Sequence, residues 1–375
     1  MIVRAAVLVA TICVALSTPA QQVLPPDSVL QRMAARMLMV GFKGDEVTAD
    51  SDAARYVRDL GVGAIILFDV DLTGKATIGS RNVTGKQQLQ RLTGQLYRWA
   101  RDGQLLIALD QEGGRVARLK TEYGFEPTVS AAYLGQTDNR DTTRFYAARL
   151  ARELRECGVS VNLAPVLDIG GDTPGLGRLG RCFSTDVNVI TRQARWFIDE
   201  CHRAGVLCAV KHFPGHGSAR DDSHWGFVDV THTWNRQELE PFARLIKQGK
   251  VDLVMTAHIF NRQIDPDFPA TLSRATLTGL LRHDMGYDGV VVTDDMYMQG
   301  IIDNYSIERA VVMAINAGAD MLCAGNNINT GFEPDRPQRL AQIIVTAVKQ
   351  GRIPYGRIVE ANRRIARLQR HVARR

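Results

Sequence analysis

The stretch Gly289-Val-Val-Val-Thr-Asp294 is a short β-branched run that ends on a carboxylate. It is apolar without alternation, as expected of a strand covered on both faces, where neither side meets water. Seven similar runs lie along the chain: Met37–Phe42, Ala64–Phe68, Leu105–Asp110, Val159–Pro165, Leu207–Phe213, Asp252–His258 and Ala319–Ala324. Between them stand helical patterns, including Lys86–Arg101, Asp141–Cys157, Asn188–Ala204, Arg236–Gln248, Ser273–Asp284 and Ser306–Gly318. Three of these run into a glycine, at Gly158, Gly205 and Gly318, the residue a helix C-terminus favours. Strands alternating with helices mean a parallel sheet, and eight strands close it, so the predicted fold is a single α/β domain, a (β/α)8 TIM-like barrel. A doubly wound open sheet would need a phosphate-binding glycine fingerprint after an early strand. Gly113-Gly114 does not have that spacing. The segment Asp69–Lys86, rich in Gly, Thr and Asn, reads as a loop inserted in the barrel.

The 375 residues, 45% hydrophobic, suit one elaborated barrel. Residues 1–20 read as an export signal: Arg4 supplies the charge, Ala5–Leu16 the apolar core, and Ser17–Ala20 a small-residue exit. The folded domain is then 21–375, and the protein is expected outside the inner membrane, periplasmic or secreted. No later stretch is apolar enough for a membrane span, and no nucleic-acid partner is expected. Removing the signal lowers the formal charge from +6 to +5 and leaves Cys157, Cys182, Cys201, Cys208 and Cys323. These show no metal spacing and are expected to be mostly buried, with at most one or two bridges. Arginines crowd the last twenty residues, which reads as a solvated helix face or, secondarily, an attraction to an anionic envelope polymer.

Chemistry-bearing residues fall at the C-terminal ends of the strand runs, where barrel enzymes carry their active sites. They are Asp110 with Gln-Glu-Gly-Gly-Arg after it, Asn162-Leu-Ala-Pro-Val-Leu-Asp168, Lys211-His-Phe-Pro-Gly-His-Gly217, Thr256-Ala-His258 and Thr293-Asp-Asp-Met296. Asp294 should project into the barrel mouth, near the cations Lys211, Arg118 and Arg181, while Asp295 caps the helix that follows. A held, ionised carboxylate can serve as a glycosidase nucleophile. Pro214-Gly-His-Gly217 forces the chain to turn into a flexible loop, in which Asp222 stands two residues before His224 and can orient its ring for acid/base work. Asp110 can accept from sugar hydroxyls while Arg118 and Lys211 donate, or the three can form ion pairs at the barrel mouth. His216 and His258 read as structural.

Those blocks, in that order and covering roughly Leu30 to Arg370, resemble the β-N-acetylglucosaminidases of glycoside hydrolase family 3 in their single-domain bacterial form. The resemblance implies that Asp294 is the nucleophile, His224 the acid/base and Asp222 its orienting partner. Sugar contacts fall on Asp110, Arg118, Arg181, Lys211 and His212. It implies an enzyme that releases terminal N-acetylglucosamine with retention, from a muropeptide-like glycan, and needs no metal or cofactor; a monomer is expected. The chain departs from the family pattern at Cys182, where Ser or Ala is usual, and in the glycine-rich loop Gly170–Gly180, which brings Arg178 into competition with Arg181. Three rival readings stand beside it. One is a metal-dependent hydrolase using His212, His216, His224, Asp222 and His258, although amidohydrolase barrels place a His-x-His pair on a first strand that here has no histidine. The second is a glycan-binding protein that has kept the pocket. The last is a phosphorylase, since a histidine acid/base does not repel an incoming phosphate.

Overall fold

The computed structural model describes residues 24–74, 76–100, 104–171, 173–219, 226, 228–328 and 331–373. Eight parallel strands close into a barrel: β1 (Leu38–Val40), β2 (Ala64–Ile66), β3 (Leu106–Leu109), β4 (Val161–Asn162), β5 (Leu207–Phe213), β6 (Leu253–Thr256), β7 (Val290–Asp295) and β8 (Met321–Ala324). All eight fall inside the runs expected from sequence, save that β7 reaches one residue further, and each pairs with its neighbours in chain order. Closure runs through Leu38 against Leu322 and Val40 against Ala324. Gly41, just past β1, shows how tight it is: a Cβ there would lie 1.9 Å from the Gly325 carbonyl oxygen. Several ladders are shorter than the apolar runs that contain them. Residues 163–167 stay buried beyond the Val161–Asn162 ladder, with Val166 bridged to Lys211 of β5, because burial selects apolar residues.

Helices cover the outside, among them Lys86–Trp99, Arg140–Glu156, Val187–Ala204, Glu240–Lys247, Ala275–Asp284 and Ile307–Ala317. Asn139, Asp186 and Ser306 cap three of them through side-chain oxygens, and Gly205 ends Val187–Ala204 at φ 79°. No helix among the described residues is long and apolar enough to cross a membrane. All five cysteines expected after signal removal are buried and unbridged.

The arginine-rich terminal helix, Tyr355–Ala373, does not present a simple solvated face. Arg357 and Arg364 turn inward onto Asp320, which is fully buried at the start of β8 and also accepts from Arg282 and from the Val291 amide of β7. Arg364 and Arg367 grip Asp288 as well. The helix is charged because it locks the lower end of the barrel, while Arg363 and Arg370 remain exposed.

At the other end, the turn after β5 is not a free loop in its first residues. Asp168 accepts from the His216 amide at 2.7 Å, Pro214 O accepts from Trp234 Nε1, and Glu238 accepts from the Gly217 amide at 3.1 Å. A Cβ on Gly217 would lie 1.9 Å from the Ile169 carbonyl oxygen. Burial, with the Asp168 charge nearby, pushes the Glu238 carboxyl up to about 7.

Two predictions follow from these anchors. Asp320→Ala leaves buried guanidiniums without their carboxylate and should cost about 3 kcal/mol or more in urea denaturation, against about 1 kcal/mol or less if the network were dispensable. Glu238 has a raised carboxyl pKa in the folded state. Its contribution is therefore full below the unfolded value and is lost as pH rises through about 7. Glu238→Gln, which cannot ionise, should match the wild type below about pH 4 and exceed it in melting temperature above neutrality. A wild-type advantage that persists in alkaline solution contradicts this.

Candidate active site

The mouth of the barrel is built on a hairpin that follows β3. Gln111–Gly113 pairs antiparallel with Val116–Ala117. Gln111 closes it from within, its Oε1 accepting from the Arg118 and Leu119 amides and its Nε2 donating to the Leu119 carbonyl. Asn162 on β4 then exchanges two hydrogen bonds of 3.0 Å with the Gln111 backbone. Gly113, at φ 95°, makes the turn, and a Cβ there would meet the Val129 carbonyl oxygen at 2.3 Å. Gly113-Gly114 therefore serves the hairpin, which fixes Asp110, Glu112 and Arg118 relative to one another.

These groups join Lys211 and His212 of β5 in an alternating network. Lys211 Nζ lies 2.8 Å from Asp110 and 2.7 Å from Glu112. Arg118 donates to the other oxygen of Asp110 at 3.0 Å. Arg181 grips Glu112 with two parallel bonds of 2.8 and 2.7 Å, the geometry in which a guanidinium matches a carboxylate best. His212 Nδ1 lies 2.6 Å from Asp168, whose charged form can only accept, so Nδ1 carries the proton and Nε2 faces Arg181 at 3.5 Å. On the far side Asp69 is shared between Lys120 and Arg118.

Burial alone would raise these acids. For Asp110 it is overridden by Lys211 and Arg118, which hold the carboxyl well below the usual range. For Glu112, Arg181 and Lys211 override it and bring the carboxyl down to about 2. Both are therefore ionised acceptors at neutral pH.

Asp294 stands near the end of β7, half-buried, and accepts from the Asp295 amide at 2.8 Å. It shares one cavity of about 280 Å³ with Asp110, Arg118, Arg181, Lys211 and His212. The three cations expected near Asp294 are thus around the same space, but their ion pairs are with Asp110, Glu112 and Asp69. Asp295 caps a turn rather than the helix that follows: it accepts from the Tyr297 amide and, across the barrel seam, from the Gly325 amide. Burial pushes its carboxyl up to about 6.

Arg181, not Arg178, reaches the cavity; Arg178 is exposed on the glycine-rich loop. Cys182 is buried against Val166 and Leu176. His258 has both ring nitrogens engaged, with Thr271 and with the Asp295 carbonyl. Among the described residues, no three His, Cys, Asp or Glu side chains converge as a metal site would require. Asp222 and His224, the expected acid/base pair, lie outside the described residues.

From sequence, Glu112 and Asp69 carry no assigned role, and Asp168 is marked only as a polar residue at a strand end. A charge count finds Glu112: Arg118, Arg181 and Lys211 at one barrel mouth need more carboxylates than Asp110 and Asp294 supply, and Glu112 stands in the same block as Asp110.

The family model of the Glycosyl hydrolase family 3 N terminal domain matches residues 29–368. The chain is 34% identical to a β-hexosaminidase of Tolumonas auensis over 293 residues, which span 77% of this chain and 83% of that protein. It is 33% identical to β-hexosaminidase A of Pseudoalteromonas piscicida over 318 residues, 79% of this chain but only 53% of that protein. In structure it superposes on the family 3 β-N-acetylglucosaminidase of Paenibacillus sp. FPU-7 with a TM-score of 0.81 at 33% identity, covering 92% of this chain and 62% of the other. A β-N-acetylhexosaminidase of Beutenbergia cavernae gives 0.79 at 27% identity, covering 91% and 98%. The chain thus spans about half the length of the Pseudoalteromonas protein and nearly all of the Beutenbergia one. The match over residues 29–368, with the closed barrel beneath it, makes this chain a member of glycosyl hydrolase family 3, carrying the family's N-terminal barrel domain.

Proposed function

We propose that this chain is an exo-acting, retaining β-N-acetylglucosaminidase that hydrolyses terminal non-reducing N-acetylglucosamine through a glycosyl-enzyme intermediate. One observation carries the reading: Asp294 and six other charged or imidazole side chains line a single cavity of about 280 Å³. That volume is at the low end for ligand pockets, and it suits one sugar ring rather than a run of them. The β-hexosaminidase name of the Tolumonas relative supports the activity, and the β-N-acetylglucosaminidase from Paenibacillus supports the sugar.

In this reading the Asp294 carboxylate attacks the anomeric carbon as the glycosidic C–O bond breaks, and His224 gives its proton to the departing oxygen. His224 then takes a proton from water, whose oxygen displaces Asp294 from the anomeric carbon. Two displacements from opposite faces return the original configuration. Asp222 orients the imidazole. Asp110 accepts from vicinal hydroxyls, while Arg118 and the third N–H of Lys211 donate to them. Arg181 and His212 form the wall beside them.

Peptidoglycan fragments are the proposed source of substrate, and the export signal over residues 1–20 would bring the enzyme to them. Both rest on the sequence alone, since residues 1–20 lie outside the described residues.

The deciding measurement is turnover of a chromogenic β-N-acetylglucosaminide by the wild type and by Asp294→Asn. Removing a nucleophile should lower kcat about a thousandfold or more, and proton NMR should show the β-anomer of the sugar first. Equal turnover by both proteins, or first release of the α-anomer, would sink the assignment. Release of a sugar 1-phosphate on adding inorganic phosphate would change the acceptor from water to phosphate and leave Asp294 in place.

A further inference from the structure

The cavity lining is mixed. Buried within it are Lys211, 2% exposed, and His212, 6% exposed, beside apolar Leu163 and Met255. Val70 and Leu72, from the loop after β2, and Ile328, from the loop after β8, line the same cavity. Leu72 is 51% exposed, among the most exposed large apolar side chains of the protein.

An exposed leucine on a floppy loop would signify little. This loop segment is held. The Asn327 side chain, itself buried, accepts from the Leu72 amide and donates to the Val70 carbonyl, both at 2.9 Å, as a neighbouring strand would. Arg81, also buried, donates to Asp71, to the Phe42 carbonyl and to the Asn326 carbonyl, tying the loops after β1, β2 and β8 together. The backbone that carries Leu72 is therefore fixed relative to Ile328, and the two hold an apolar lip at the mouth.

We infer that Leu72, with Val70 and Ile328, forms the subsite for the leaving group and selects aglycones that present an apolar face. This rests on the reaction proposed above. In that reaction the sugar ring lies against Asp294 and the charged side chains, and the departing group extends toward solvent, where Leu72 is exposed. Aryl groups and the methyl-bearing substituents of a second N-acylated sugar would bury the lip; an unsubstituted hydroxylated sugar would leave it wet.

The test compares kcat/KM for an aryl and a methyl β-N-acetylglucosaminide in the wild type, Leu72→Ser, Ile328→Ser and Leu72→Met. Covering about half a leucine side chain corresponds to roughly a fivefold preference. The aryl-to-methyl ratio should fall by about that factor in each serine variant, through KM, and be kept by Leu72→Met. Inhibition by free N-acetylglucosamine, which has no aglycone, should stay as in the wild type. A ratio unchanged in both serine variants, or aryl and methyl rates that fall together with weakened N-acetylglucosamine inhibition, overturns the lip while leaving the reaction standing. A wild type that hydrolyses neither glycoside overturns the reaction, and the subsite with it.

Discussion

Lys211 sits where the barrel can least accommodate a lone charge. Its ammonium is out of water and is held between Asp110 and Glu112 at 2.8 and 2.7 Å. A buried cation must be paired, and each carboxylate that pairs it must in turn be balanced. Arg118 balances Asp110 and Arg181 balances Glu112. Arg181 passes the chain to His212, which Asp168 orients; Arg118 passes it to Asp69 and Lys120. Strands β3, β4 and β5 and their loops are thereby tied at their upper ends by a single alternation of charge. A change at any member leaves an uncompensated neighbour, so these positions respond as a unit and not one by one.

The aim of the two most important strand ends depends on a second constraint. Between β5 and β6, Val210 pairs with Val254 and Phe213 with Thr256, so one extra residue is accommodated at Lys211-His212. Between β7 and β8, Val292 pairs with Met321 and Asp295 with Cys323, and the extra residue falls at Thr293-Asp294. Such bulges turn side chains that strict alternation would send elsewhere. They let consecutive residues, Lys211 and His212, line one cavity, and they bring Asp294 and Asp295 to the same mouth although Asp295 is bound to the backbone.

The legibility of this molecule in its sequence follows from these causes. Strands buried on both faces are continuously apolar, so the eight runs marked themselves, and their carboxylate or imidazole ends marked the mouth. Partnerships left no such trace. Glu112, Asp168 and Asp69 act through contacts between residues 44 to 99 apart in sequence, such as Asp168 with His212 and Glu112 with Lys211. Two of the terminal arginines, Arg357 and Arg364, escape the solvated-face reading for the same reason. A charged stripe on a helix has one appearance whether it faces water or, as with Arg357 and Arg364, a buried Asp320 on another element. The bulges are invisible because they are a property of two strands together.

The two ends of the barrel use similar groups to opposite effect. At the lower end Asp320 receives four bonds, from Arg282, Arg357, Arg364 and the Val291 amide. A carboxylate has about four acceptor sites, so Asp320 is saturated and can only hold structure together. At the upper end Asp110 receives two bonds from side chains, and Lys211 makes two of the three its ammonium can donate. Charge is balanced there, but hydrogen-bonding capacity is left over, and it opens onto the cavity. A ring of hydroxyls can take up that capacity without displacing an ion pair. The network therefore need not be broken for a sugar to bind. The carboxylates and cations that fix the mouth of the barrel can hold the sugar in the same geometry in which they hold each other.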